Sequence, residues 1–261
     1  MHSFQTPNPI RLNVHLPKGR IMVVAEETTE TRVELTAIHG DAASNAWIAG
    51  AEVTRNGDEI MVRFPKARLG LFGRGGAVEA RIHAPLGSAA RLSAGSGRIE
   101  TAGRLGQVIA SAGSGTIRLD DTDEASATTG SGDIAINASA GSVEAKTGSG
   151  RITVGKVGAD ARITTGSGNI EIGQAGDSLE AFAASGNVQI RRADHGHVHA
   201  RTVSGQISVS VANGAAALLD ITTMSGRVNS NLDSAAAPGE GEKRVELTLS
   251  TVSGNVNLAR A

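Results

Sequence analysis

Apolar residues alternate with polar ones in short runs along most of the chain, and from about residue 90 the runs recur around a Ser-Gly pair. The stretches "SAGSGTIRL", "TTGSGDIAI", "KTGSGRITV" and "TTGSGNIEI" are variants of one unit. Aligned on serine, nine copies stand at Ser96, Ser114, Ser131, Ser149, Ser167, Ser185, Ser204, Ser225 and Ser253. Each is followed by glycine, at Gly97, Gly115, Gly132, Gly150, Gly168, Gly186, Gly205, Gly226 and Gly254. Successive spacings are 18, 17, 18, 18, 18, 19, 21 and 28 residues. Three residues past every serine stands Ile or Val, from Ile99 to Val256, and two further on the position is again mostly apolar. Period two marks a strand with one buried face.

A second strand precedes each corner. Six, four and two residues before the serine the side chains are apolar or small, as in Val143, Ala145 and Thr147, or Leu179, Ala181 and Ala183. A unit of about 18 residues with two strands and two turns cannot bury its own apolar face, and stacking on copies of itself solves that. The pattern predicts an all-β, single-stranded β-solenoid resembling a β-helix. Each strand pairs in parallel with its copy about 4.8 Å away. Right-handed winding is favoured for parallel strands joined by crossovers. Continued alternation places the corner serine inside, with glycine bending the chain after it. The residue after that glycine, running from Arg98 through Asp133 to Asn255, varies and faces outward, so recognition by the repeat would lie in that column.

Residues 1–88 also read as strands, including "IRLNVHL", "GRIMVVA" and "DEIMVRF". Gly19-Arg20-Ile21 echoes the corner, and Asn56-Gly57 is a hairpin signal. This part is expected to form degenerate rungs or an antiparallel cap whose Met, Phe and Trp side chains cover an open end of the coil. The regular solenoid then spans 89–261, with an insertion at 234–244. Residues 68–76, "RLGLFGRGG", read as a Gly-broken connection or a contact loop.

Composition narrows the function classes. Among 261 residues the formal net charge is -1, so no charge field points to nucleic acid or an anionic membrane. No cysteine is present, which excludes disulfides and thiolate metal sites. The N-terminal stretch lacks a basic segment followed by an apolar one, and no apolar run is long enough to span a bilayer. A cytoplasmic protein without membrane insertion is expected, export by another route remaining open. Aromatic residues make up only 2% of the chain, with outward-facing Phe182 the exception in the repeat.

The opening "PNPIRLNVHLPKGRIMVVAEET" followed by "GSGDI"-like units resembles a bacterial, actinobacterial-type family of β-strand-repeat proteins of unknown function labelled "putative adhesin". The resemblance covers nearly the whole chain. It implies the repeat fold and carries no catalytic residues.

The stretch "DHGHVHAR" holds the candidate metal ligands His195, His197 and His199. Alternate residues on a strand lie about 6.5–7 Å apart, within reach of a shared metal. The same outward column reads Glu144, Arg162, Glu180, His199 and Asp220, one residue per rung. An alternating-charge ladder on a solvated face accounts for it without a metal. No helix follows the Gly-rich corner, as a phosphate loop requires, and one Asp in nine copies makes no calcium ladder. The sequence therefore points to a non-catalytic scaffold or adhesin-like binding protein with no cofactor. Its partner would be an unidentified protein or surface ligand, and the chain would be a monomer or an end-to-end or edge oligomer. The alternatives are a self-associating structural protein and a solenoid carbohydrate-active enzyme, which a deep polar cleft would favour.

Overall fold

Corner glycines come so close to an adjoining rung that no side chain fits there, as at Gly150, Gly168 and Gly186. In the computed structural model, which describes residues 1–64, 76–232 and 243–261, a β-carbon on Gly168 would lie 2.0 Å from the carbonyl oxygen of Gly150. The same relation runs from Gly150 to Gly132, Gly186 to Gly168, Gly205 to Gly186, Gly254 to Gly205 and Gly226 to Gly254. Gly150, Gly168, Gly186, Gly205 and Gly254 have φ between +147° and +153° or at +146°, a region that other residues avoid. The chain divides into two compact units, Met1–Gly130 and Ser131–Ala261.

The first unit contains β1 (His2–Gln5), β2 (Arg11–Glu26), β3 (Glu30–Ala37), α1 (Ala42–Ala49), β4 (Glu52–Asn56), β5 (Glu59–Arg63), β6 (Val78–Pro85), β7 (Ala89–Ala102) and β8 (Leu105–Ser114). Strand β9 (Ile117–Ser131) follows, all but its last residue within this unit. Strand β2 is a complete rung, pairing in parallel with β7 from Arg11↔Ala89 to Val24↔Ala102, and Gly19 lies against Gly97. On its other side β2 pairs with β5 and then with β6, which together form a rung in two pieces. Antiparallel β3 covers β6, β1 covers β3, and β4 covers β5. Rungs and antiparallel cap are thus both present. The hairpin between β4 and β5 turns on Gly57-Asp58, one residue later than the Asn-Gly signal suggests, with Gly57 at φ +59°.

The helix is the departure from an all-strand reading of this region. Asp41 caps it, its carboxylate accepting from the Ser44 amide at 2.6 Å. That backbone bond holds the Asp41 carboxyl below its usual range. Trp47 is buried on α1, and Phe64 is buried too. The 68–75 loop lies outside the described residues. No helix among the described residues is long and apolar enough to cross a membrane.

The second unit is the regular coil. Its strands are β10 (Ile134–Ser139), β11 (Val143–Ser149), β12 (Ile152–Val157), β13 (Asp160–Ser167), β14 (Ile170–Gln174), β15 (Ser178–Ser185), β16 (Val188–Ala193) and β17 (Gly196–Ser204). Then follow β18 (Ile207–Val211), β19 (Ala216–Ser225), β20 (Val228–Ser230), β21 (Arg244–Ser253) and β22 (Val256–Arg260). Odd and even strands form two parallel ladders in register, Ile134 to Ile152 to Ile170 to Val188 on one and Val143 to Ala161 to Leu179 to Val198 on the other. These inner columns are buried. The protein is a β-solenoid with two strands per rung.

Two sequence expectations fail here and a third gains a structural side, each for a physical reason. First, all nine corner serines are exposed. The alternation breaks just before the serine, so Gly166 and Ser167 both face outward, and the bend itself falls on the following glycine, Gly168, at φ +146°. The hydroxyl work falls to the inward threonine: Thr165 Oγ1 donates to the Gly150 carbonyl at 3.3 Å, Thr147 to Gly132 at 3.0 Å and Thr202 to Gly186 at 2.9 Å. Serine contributes its backbone, the Gly150 amide donating to the Ser167 carbonyl at 2.9 Å. Second, the column after the glycine is partly structural. Asp133, Asn169, Asn187 and Asn255 each accept, through Oδ1, the amide of the matching residue on the adjoining rung, at 2.8–3.0 Å. Third, rung order in space is not rung order in sequence. Strand β21 pairs with β17 on one side and β19 on the other, so the last rung of the chain is inserted beneath the one before it. Residues 234–242 of the expected insertion lie outside the described residues.

Two stability predictions follow from the corner. Gly150→Ala should lower the unfolding free energy by about 3 kcal/mol or more, combining positive-φ strain with a backbone clash. Gly214→Ala, with φ +80° and nothing within 4 Å, should cost only about 1 kcal/mol. Equal urea midpoints for the two variants would contradict the packing account. Thr165→Val should cost about 1 kcal/mol through the lost hydroxyl bond, while Ser167→Ala should fall within about 0.5 kcal/mol of the parent; the reverse ranking in thermal melts would restore the serine to the corner's interior.

Candidate functional site

Because the ladder consumes the inner columns, binding is left to side chains that alternate outward. On β11, β13, β15 and β17 two outward columns run side by side. One reads Glu144, Arg162, Glu180 and His199. The other reads Lys146, Thr164, Phe182 and Arg201. Both keep register because the corners do, with about 4.8 Å between successive members.

The charge ladder is real in part. Arg162 Nη2 lies 2.7 Å from Glu180 Oε2, both side chains more than half exposed. His199 follows Glu180 as the sequence suggests, but the next member is Thr248, because β21 intervenes, and Asp220 lies one rung beyond. In the parallel column Phe182 stands between Thr164 and Arg201 and is 37% exposed. Arg162, Thr164, Glu180, Phe182, His199 and Arg201 line one open depression. Arg201 makes no ion pair among the described residues.

The three histidines do not converge. His195 immediately precedes β17, whose first residue, Gly196, has φ +84°. Its Nε2 lies 3.1 Å from Asp177 Oδ1 and its Nδ1 3.4 Å from Asp194 Oδ1. The Asp194 side chain is only 8% exposed and also lies 3.9 Å from Arg192 Nε and 3.6 Å from Lys243 Nζ through Oδ2. A buried carboxylate is retained when cations surround it, and this cluster pins the turn that starts β17. His197 pairs with Glu246 instead, Nδ1 to Oε2 at 3.0 Å, while Arg244 reaches the same carboxylate at 3.3 Å. His199 joins the depression beside Phe182. No group of three or more His, Asp or Glu side chains is placed to hold a metal among the described residues.

Sequence reasoning placed the outward columns and the exposed phenylalanine. It missed Asp177, Asp194 and Glu246 as histidine partners. Asp177 was accessible, being 18 residues before His195 and thus one rung away. Glu246 was not, because its place beside His197 depends on the inserted rung.

Comparison with curated protein sequences returns no match. Among solved structures, a protein of Parabacteroides distasonis named "putative lipid binding protein" is similar over 99% of this chain and 96% of its own, with 11% identity and a TM-score of 0.51. A "putative adhesin" of the same species aligns over 98% of this chain and 95% of its own, at 10% identity and a TM-score of 0.44. Another, from Bacteroides fragilis, covers the same shares at 10% identity and a TM-score of 0.40. None of these organisms is an actinobacterium, and the similarity speaks for the fold alone. The match to a family is broader than any of these likenesses is close: it runs from residue 25 to residue 259, and the chain belongs to the Toastrack DUF4097 family.

Proposed function

We propose that the protein is a non-catalytic, adhesin-like binding protein whose ligand face is the outer surface of β13, β15 and β17. One observation carries the reading: an exposed aromatic ring, Phe182, beside a guanidinium, Arg201, that no carboxylate neutralises among the described residues. A phenyl face takes the apolar C–H face of a sugar ring, and an unpaired guanidinium takes a carboxylate in two parallel hydrogen bonds. Arg162 and His199 lie at the margin of the depression, with Glu180 held by Arg162. The ligand class that fits is an acidic saccharide, presented on a surface or a polymer. The names carried by the similar structures, an adhesin and a lipid binder, are of the same binding kind.

The ladder supports this assignment over catalysis. The corner serines stand singly at an exposed turn, and the carboxylate of the depression, Glu180, is paired with Arg162. A rigid sheet with fixed rung spacing suits repeated, shallow contacts along a polymer.

Isothermal titration with oligogalacturonate and with uncharged oligosaccharides of matched length tests the proposal. Binding of the acidic oligomer is expected, and Phe182→Ala and Arg201→Ala should each weaken it tenfold or more. Arg91→Ala, on the first unit, should leave it unchanged. Absence of binding to the acidic oligomer, or equal binding by the parent and both variants, would overturn the assignment of this face.

A further inference from the structure

The rung formed by β19 and β20 ends the second unit with nothing paired to its outer side among the described strands. Its inner columns show the consequence. Leu219 is 39% exposed, whereas Leu247 in the same column one rung below is 1% exposed. Val228 is 46% exposed against 0% for Val256. The edge strand β19 is ten residues long and carries one charge, Asp220. Two strands of the first unit that have a single partner, β1 and β4, are four and five residues long, antiparallel and rich in polar or charged side chains. Those are blunted edges; β19 is not.

A second feature leads to the same place. The residue just before each corner serine faces outward, and in spatial order the column reads Gly148, Gly166, Ala184, Val203, Val252 and Met224. In chain order Met224 interrupts the two valines; in space the side chain grows steadily toward the open rung. Val203 is 40% exposed, Val252 37% and Met224 80%. An apolar stripe therefore ends at the unpaired edge, and Leu218, 54% exposed, lies at the other end of the same strand.

We infer that this edge is the interface of a homodimer, two copies of β19 pairing antiparallel about a two-fold axis at Ile221. The register follows from the sequence of the strand. Inner residues must meet inner ones, so the residue numbers of each opposed pair sum to an even number. A sum of 440 sets Asp220 against its own copy, and like charges directly opposite are unfavourable. A sum of 444 sets Asp220 against Met224 and leaves Leu218 facing Gly226, beyond the strand end. A sum of 442 sets Leu218 against Met224, Asp220 against Thr222, Leu219 against Thr223, and Ile221 against itself. That arrangement sets Leu218, Leu219 and Met224 of each copy against residues of the other, and it is isologous, so it closes at two chains. The first unit's short charged edges give no matching partner for an extending fibre. The edge lies on the same sheet face two rungs from Arg201, but the pairing uses none of the residues that line the depression at Phe182, so it does not depend on that ligand.

Sedimentation velocity on the full chain should show a concentration-dependent dimer. Met224→Lys and Leu218→Glu alter side chains that face solvent in the single chain, so folding should survive, and each should raise the dimer dissociation constant tenfold or more. The chain has no cysteine, which makes cross-linking clean. The double variant Leu218→Cys with Met224→Cys should oxidise to a covalent dimer, because opposed Cβ atoms lie about 4.5–5.5 Å apart. Either single variant should cross-link poorly. A chain monomeric at every concentration overturns the proposal. A dimer indifferent to both charged variants, or single cysteines cross-linking as well as the pair, overturns it equally.

Discussion

The fold depends on one close approach, repeated from corner to corner: the carbonyl oxygen of one glycine occupies the space where the adjoining rung's β-carbon would be. In the second unit that oxygen lies 1.9–2.1 Å from the β-carbon position at Gly150, Gly168, Gly186, Gly205, Gly254 and Gly226. The approach locks the vertical register, since a slip of one residue would bring a side chain into that space. From register follow the stacked inner columns, the threonine-to-glycine hydroxyl bonds and the asparagine caps. The outward columns keep their alignment for the same reason, so a pair such as Phe182 and Arg201 is held together by corners that neither residue touches.

The period and the inner columns could be read from the chain because both are local consequences of alternation. Ile134, Ile152 and Ile170 are buried where the pattern placed them. The corner serines could not be assigned correctly, because alternation stops at the turn, and the residue at which it stops depends on where the chain bends. Asp133 and Asn169 look like variable surface residues in sequence; their role appears only when the amide of the next rung is in view. The helix α1 was hidden by brevity, eight residues between Asp41 and Gly50 in a region otherwise rich in alternation.

Rung order was hidden for a different reason. A repeat alignment assumes that consecutive copies are neighbours, and here the copy at Ser253 lies between those at Ser204 and Ser225. Nothing in the individual residues marks this. The side chains register it indirectly, in the monotonic growth from Gly148 to Met224 once the rungs are sorted by space. The insertion also decides chemistry: it brings Glu246 to His197 and Thr248 to His199, and it makes β19 the open edge.

Interior rungs serve stability and leave their outward side chains free to vary. A long ladder tolerates outward substitution because each rung is supported by its neighbours, which is the general condition under which repeat proteins diversify their faces. The inserted rung is the feature on which the account of both the histidine stretch and the open edge turns, and cysteine pairs in this cysteine-free chain test it most directly. His199→Cys with Thr248→Cys places two thiols on adjacent rungs, about 4.8 Å apart between Cα atoms, and should form an intramolecular disulfide under mild oxidation. His199→Cys with Asp220→Cys places them two rungs apart and should stay reduced. Disulfide formation in the second pair and not in the first would show that the rungs stack in chain order and would contradict the account.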